Sequence, residues 1–125
     1  MNLKKYYRDL LTGNSALVSL LGSTDKIVAS YPNEVTTFPL VIYEDINSSD
    51  VAFSDNLPEG TSATVRIHIF SKTIKGYPKA EEIADVVRSI FRNDYWTMTG
   101  NNETPDVEDN IKHRVLDFKR EFYSL

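Results

Sequence analysis

Two histidines, His68 and His113, are the residues of this chain best suited to proton transfer or metal binding. An imidazole titrates near neutral pH and is a common metal ligand. A metal site draws several His, Cys or carboxylate ligands together, often at a recognisable spacing, and no such spacing surrounds either histidine. Each stands alone within a predicted strand, so we interpret both as half-exposed strand residues.

Adjacent carboxylates at Glu44-Asp45 and Glu81-Glu82 could in principle carry general acid–base catalysis. Neighbouring strand residues point to opposite faces, so Glu44 and Asp45 cannot readily share a proton. Glu81, Glu82 and Asp85 fall in the first turns of a predicted helix, where they complement the positive end of its dipole. The chain has neither a glycine-rich phosphate loop nor a Gly-x-Ser-x-Gly nucleophile motif. We therefore expect no catalytic, cofactor or metal site, and a protein that is not an enzyme.

The composition is that of a single domain of 125 residues without cysteine. The lack of cysteine removes disulfides, thiolate catalysis and cysteine-based zinc or iron–sulfur sites. The formal net charge of −4 argues mildly against a nucleic-acid binder, which usually carries a basic surplus. No apolar run approaches the roughly 20 residues of a membrane helix, and no apolar signal core follows Lys4 and Lys5. We expect a cytosolic protein or an intracellular assembly component, with no membrane partner.

An alternating strand followed by an amphipathic helix lies in the centre of the chain. Apolar and polar residues alternate in the strand with the period of two of a half-buried sheet. After a turn, Pro78 is predicted in the first helical turn, where its missing N–H would have no helical partner anyway. The strand faces are Ala63, Val65, Ile67 and Ile69 against Thr64, Arg66, His68 and Phe70, and the helical stripe is Ala80, Ile83, Ala84, Val87, Ile90 and Phe91.

The remaining patterns complete an α+β fold. The connections between strands favour antiparallel pairing, and the helices must cover the apolar face of the sheet. We predict an antiparallel or mixed sheet of about five strands, flanked by an N-terminal helix or helix pair and one central amphipathic helix. Helices are predicted at residues 2–12 and 16–21, with Ser15 as an N-cap, further strands at 26–30, 40–46, 95–99 and 111–123, and long mobile loops at 47–60 and 101–110.

Charge is distributed unevenly along the chain. Residues 44–59 carry five acids and no base, and residues 103–109 carry four acids and no base. Residues 112–120, by contrast, carry four bases, one acid and His113. One interpretation is that two solvated acidic loops lie beside an ordinary strand. The other is that opposite charges lie on surfaces that meet between subunits.

Two aromatic residues occupy positions of particular interest. Phe70 shares a strand face with Arg66 and His68, where it could stack on single-stranded nucleic acid or pack against a neighbouring subunit. The acidic net charge favours packing against a neighbouring subunit over stacking on nucleic acid. Phe53 is an apolar residue in a polar, acidic stretch, which suggests a segment that docks on a partner. The candidate interface residues are therefore Asp50, Phe53, Asp55, Glu59, Arg66, Phe70, Lys112 and Arg114.

Six stretches follow one another in an order that matches a known family. They are residues 10–21 with their Leu-Leu-Gly end, the Tyr31-Pro32 break, residues 38–43, the strand end at 67–72, the helix at 80–88 and the late charged strand. Together they resemble the tail completion, or tail-to-head joining, proteins of long-tailed bacteriophages, a group similar to the small tail terminator proteins. The resemblance covers nearly the whole chain and rests on a pattern of elements, not on a catalytic signature.

The resemblance implies an α+β fold and a non-enzymatic structural role in a phage or prophage virion. Such proteins form a ring, commonly hexameric, on the last ring of tail-tube protein, stop tube growth and present a surface to the head connector. The expected partners are the tail tube protein, the head connector or head-closure proteins, and further copies of this chain, which could be monomeric in isolation. The expected location is the virion at the head–tail interface, and the host cytoplasm during assembly.

DNA is expected to pass through such a ring without specific binding. Acidic residues on the lumen would reduce sticking because carboxylates repel phosphates, and Asp50, Asp55 and Glu59 are the candidates. Two other functions stay open. One is a head-closure or connector subunit of the same virus. The other is a small nucleic-acid-binding module that uses Arg66, His68 and Phe70, which a salt-dependent DNA affinity would favour.

Overall fold

Three helices pack on one face of a mixed five-stranded sheet. The computed structural model describes residues 2–30, 35–52, 59–104 and 110–123. This architecture confirms the predicted α+β fold. The elements are α1 (Leu3–Thr12), α2 (Ser15–Leu21), a 3-10 turn (Thr24–Lys26), β1 (Ile27–Val28), β2 (Leu40–Ala52), β3 (Glu59–Lys72), α3 (Ala80–Asn93), β4 (Thr97–Thr104) and β5 (Ile111–Tyr123).

The strands are ordered β1-β2-β3-β5-β4, with β3 in the centre. The short β1 runs parallel to β2, and the other three pairings are antiparallel. In the centre of the sheet, Arg66 of β3 lies between Glu44 of β2 and Asp117 of β5. This register determines which side chains meet on the face of the sheet opposite the helices.

The main core lies between the helices and the first face of the sheet. The alternation of β3 is as predicted, because Val65 and Ile67 are buried beneath the helices whereas Arg66 and Phe70 lie on the other face. Phe91 of α3 stacks on Phe118 of β5, with ring centroids 4.5 Å apart. Burial of these apolar surfaces is the main force that holds the helical layer to the sheet.

The helix ends differ in detail from the prediction. The N-cap of α2 is Asn14, whose side chain accepts a hydrogen bond from the N–H of Leu17 at 2.9 Å, and Ser15 is the first helical residue. The helix α3 begins at Ala80, so Pro78 precedes the helix instead of lying in its first turn. Before the helix, the carbonyl of Pro78 accepts a hydrogen bond from the hydroxyl of Ser71 at 2.5 Å.

Within the two predicted mobile loops, residues 47–52, 59–60 and 101–104 are strand. The ladder of β2 and β3 continues to the pair of Ala52 and Glu59, and β4 continues to Thr104, opposite His113. Polar residues extend a strand as long as their backbone groups pair, so a polar stretch alone does not mark a loop. Residues 53–58 and 105–109 of the predicted loops lie outside the described residues. The strand predicted at 26–30 contains only two strand residues, Ile27 and Val28, after the 3-10 turn.

Among the described residues, no helix is both long enough and apolar enough to cross a membrane.

Candidate functional site

The second face of the sheet carries a small apolar cluster. Leu40, Ile42 and Phe70 form it, and no described helix contributes a residue to it. The partly buried Val35 and Phe38, from the segment before β2, pack against this cluster. The same face also carries charged side chains, and these are the first candidates for a functional surface.

A row of three charged side chains crosses the centre of this face. The guanidinium of Arg66 contacts the carboxylate of Asp117 through two hydrogen bonds, Nε to Oδ1 at 2.9 Å and Nη2 to Oδ2 at 3.3 Å. This hydrogen bonding raises the pKa of Arg66, and the charge of Glu44 adds to the effect. The pair of Arg66 and Asp117 ties β3 to β5, so a structural role explains its geometry.

The two histidines that we interpreted as isolated meet on the same face. His68 Nδ1 lies 2.9 Å from His113 Nε2, and His68 Nε2 contacts a carboxylate oxygen of Glu44. The two residues, His68 and His113, are 8% and 9% exposed, so the prediction of half-exposed histidines is wrong. The sheet register causes the meeting, because His113 lies opposite Phe70 and therefore diagonal to His68.

Burial keeps this histidine pair neutral near pH 7. It lowers the pKa of His68, and it lowers the pKa of His113 to about 4, with the neighbouring His68 as a second cause. A carboxylate only accepts hydrogen bonds, so His68 Nε2–H donates to Glu44 and His68 Nδ1 accepts from His113 Nε2–H. Two histidines less than a tenth exposed offer little access to a substrate. No cluster of three or more His, Cys, Asp or Glu among the described residues could hold a metal ion.

A basic cleft of about 600 Å³ opens where the turn after β3 meets the start of α3 and the ends of β4 and β5. Five bases and two acids line it, which leaves a surplus of three positive charges in a chain whose formal net charge is −4. The lining consists of Lys72, Thr73, Ile74, Lys75, Tyr77, Lys79, Ala80, Glu81, Glu103, Lys112 and Arg114. We refer to this set of residues as the basic cleft.

Two of the bases in the cleft are paired with its acids. Arg114 Nη1 lies 3.2 Å from Glu81 Oε1, and Lys112 Nζ lies 3.2 Å from Glu103 Oε1. Arg114 also donates a hydrogen bond to Asn101 Oδ1 at 2.6 Å. These pairs neutralise the two acids of the cleft.

The other three bases of the cleft come from the turn and its borders. Lys72 Nζ lies 5.3 Å from the centre of the Phe38 ring and 5.6 Å from that of Tyr77, within the range of cation–π contact. Lys75 and Lys79 are exposed and form no ion pair with any residue that the structure describes. The signal in the sequence that could have predicted this basic surface is the run of three lysines without an acid at residues 72–79.

The structure separates the predicted interface residues into different surroundings. Lys112 and Arg114 line the basic cleft, and Arg66 belongs to the charged row on the sheet. Phe70 is 3% exposed and stacks on His113 at 4.0 Å, so its ring packs within its own chain and is not available to a partner. Asp50 and Glu59 occupy strand positions at the far end of the β2–β3 pair, and Phe53 and Asp55 lie outside the described residues.

Comparison with known proteins gives a structural likeness but no family. No protein-family model matches the chain. A serine hydroxymethyltransferase of Mycoplasmopsis synoviae (strain 53) is 29% identical over 77 residues, which are 62% of this chain and 18% of the enzyme. The chain thus spans less than a fifth of that enzyme, and the match does not show a family.

The likeness is to a chain of a solved structure described as the virion of a native gene transfer agent particle. The alignment has a TM-score of 0.62 and 13% sequence identity, and it covers 93% of this chain and 90% of that chain. At this identity the comparison shows that the two chains share a fold across almost their whole lengths.

Proposed function

We propose that this protein is a structural component of a phage-like virion. In this proposal it forms a ring at the head–tail joint, where it ends the tail tube and docks the tube to the head connector. The observation that carries the proposal is the shared fold with a chain of the gene transfer agent virion, at a TM-score of 0.62. The order of elements that resembles tail completion proteins supports the more specific position in the particle.

The surroundings of the polar side chains support a structural role instead of a catalytic one. His68 and His113 are buried and hydrogen-bonded to one another, and Arg66 pairs with Asp117 across two strands. A general base or nucleophile has to reach its substrate, and these groups instead fasten β2, β3 and β5 together. We accordingly propose that the chain is not an enzyme. The partial alignment with a serine hydroxymethyltransferase does not assign an activity to it.

The partners follow from the proposed position. They are the tail tube protein, the head connector or head-closure proteins, and further copies of this chain. The protein would occupy the virion at the head–tail interface after assembly in the host cytoplasm. DNA would pass through the ring without specific binding, which the formal net charge of −4 supports.

Binding of the purified protein to isolated particles tests this proposal. Tail tubes and tailless heads are incubated separately with the protein, and bound protein is measured by co-sedimentation and located by negative-stain electron microscopy. The proposal predicts a ring at one end of the tubes. Binding to heads alone would assign the protein to head closure. Binding to neither, with salt-dependent retention on DNA, would favour a nucleic-acid-binding module.

A further inference from the structure

The basic cleft has a complementary partner within the same sequence. Residues 50–59 contain the acids Asp50, Asp55 and Glu59 and no base, and we refer to them as the acidic segment. We propose that the acidic segment of one copy docks in the basic cleft of the next copy, so that a head-to-tail contact links the subunits. This inference rests on the proposed ring-forming function and names the contact that builds the ring.

Charge is the first argument for this pairing. The basic cleft has a surplus of three positive charges, and the acidic segment carries three carboxylates. Within the cleft, Glu81 and Glu103 already have partners, whereas the exposed Lys75 and Lys79 pair with no described acid. Opposite charges brought together at an interface speed association and fix its register.

Apolar surface is the second argument. Two lining residues of the cleft are apolar or aromatic: Ile74, which is 46% exposed, and the half-buried Tyr77. The acidic segment includes the apolar residues Val51, Phe53 and Leu57 between its acids. A cleft of about 600 Å³ is within the size range of sites that enclose a compact ligand. A peptide with both acids and apolar side chains fits these walls better than a nucleic-acid backbone, which offers only phosphate and sugar.

The topology makes the contact intermolecular. Glu59 begins β3 and Lys72 ends it, so the two residues lie at opposite ends of a strand of 14 residues. At about 3.3 Å per residue, the acidic segment joins the sheet roughly 40 Å from the cleft. The points at which the acidic segment joins the sheet, Ala52 and Glu59, therefore lie at the opposite end of the central strand from the cleft. A contact between two different patches is heterologous, and such contacts form a closed ring when the rotation between neighbours closes.

The proposal changes the role of the three acids. From the sequence we expected Asp50, Asp55 and Glu59 on the lumen, where they would repel DNA. The cleft gives these carboxylates a cationic partner on a neighbouring subunit instead. In a ring built in this way the acids pair with the lysines of the neighbouring subunit. Neither the acids nor the lysines would then contribute much net charge to the lumen.

Disulfide trapping tests the contact directly, because the natural chain has no cysteine. Full-length Asp55→Cys and Lys75→Cys variants are mixed and oxidised, in solution and on tail tubes, and the mixed dimer is measured on non-reducing gels. The matched control replaces Lys75→Cys by Lys5→Cys, because Lys5 is an exposed lysine on α1, away from the cleft. We expect the cleft pair to form the mixed dimer at least about tenfold faster than the control pair. Equal rates would overturn the proposal.

Charge reversal provides an independent test. The Lys75→Glu/Lys79→Glu variant and the Asp50→Lys/Glu59→Lys variant should each reduce subunit association on tubes about tenfold or more. A mixture of the two variants restores one attractive contact, so we expect pairs to form in the mixture but not in either variant alone. The exposed Lys4→Glu/Lys5→Glu variant makes the same charge change outside the cleft and should associate like the natural protein.

The outcomes separate this contact from the proposed function. Normal capping of tubes by the charge-reversed variants would overturn the contact and leave the function intact. Specific cross-linking by a protein that binds neither tubes nor heads would support the contact and refute the function. Retention on DNA at low salt that Lys75→Glu/Lys79→Glu abolishes, without cross-linking, would overturn the contact and assign the cleft to phosphate binding.

Discussion

The buried histidine pair predicts how the stability of this protein depends on pH. Burial, together with the neighbouring His68, lowers the pKa of His113 from 6.5 to about 4. Between these two values the unfolded chain binds a proton on this ring and the folded chain does not. Protonation therefore favours the unfolded state, and stability falls as the pH is lowered below 6.5.

The magnitude follows from the size of the shift. One unit of pKa corresponds to about 1.4 kcal/mol, so lowering the pH from 7 to 5 removes roughly 2 kcal/mol of unfolding free energy through His113 alone. The pKa of His68 is also lowered, which adds a change of the same sign. Stability would stop falling on account of His113 only below about pH 4, where the folded chain is protonated as well.

Urea unfolding of the natural protein and of His113→Gln measures this effect. The single tryptophan, Trp96, is buried and reports unfolding by its fluorescence. The glutamine amide can donate to His68 but does not titrate, so the variant carries the background pH dependence of all other groups. We expect the natural protein to lose roughly 2 kcal/mol more than the variant between pH 7 and pH 5. Parallel losses in the two proteins, or an NMR titration of His113 near pH 6.5, would refute the reasoning.

Three further substitutions test the packing, the polar network and a helix end. Phe91→Ala removes a fully buried ring and should lower the unfolding free energy by about 3–5 kcal/mol in urea titrations. A loss below about 1 kcal/mol would contradict the burial of this ring in the core. Asp94→Ala removes the carboxylate that accepts hydrogen bonds from Arg120 Nη1, at 3.1 Å, and from the Tyr6 hydroxyl. This substitution should lower the unfolding free energy by about 1–3 kcal/mol, and an unchanged urea midpoint would show that the network contributes little. Gly22→Ala places a side chain at a φ of +90° without a steric clash, so calorimetry should show a loss of about 1–2 kcal/mol from backbone strain alone, and no loss would contradict the left-handed helix end.

Elements whose structure a local pattern decides could be predicted from the sequence. The predicted bounds of the last strand, residues 111–123, agree with β5, and the predicted apolar stripe of the central helix, from Ala80 to Phe91, is the buried face of α3. The alternation in β3 correctly divided its residues between the two faces of the sheet. Helical and strand periodicity reflect burial on one side, so these elements could be identified without knowledge of their partners.

The complete sites could not be predicted from the sequence, because they depend on pairing between distant strands. Nothing near His68 in the sequence indicates that β5 lies beside β3 in the register that brings His113 against it. The basic cleft likewise combines Lys75 and Lys79 of the turn with Lys112 and Arg114 of β5. The polar end of β2, residues 47–52, and the first two residues of β3 were predicted as a loop because composition, unlike backbone pairing, is visible in the sequence.

The length of tail tubes is the most direct measure of the proposed role. Particles are produced from a virus or prophage in which the gene for this protein is deleted, and tube lengths and head attachment are measured by electron microscopy. If the protein ends the tube, tubes without it should exceed their normal length and lack heads, and the purified protein added during assembly should restore both. Tubes of normal length joined to heads in the absence of the protein would contradict a role at the head–tail joint.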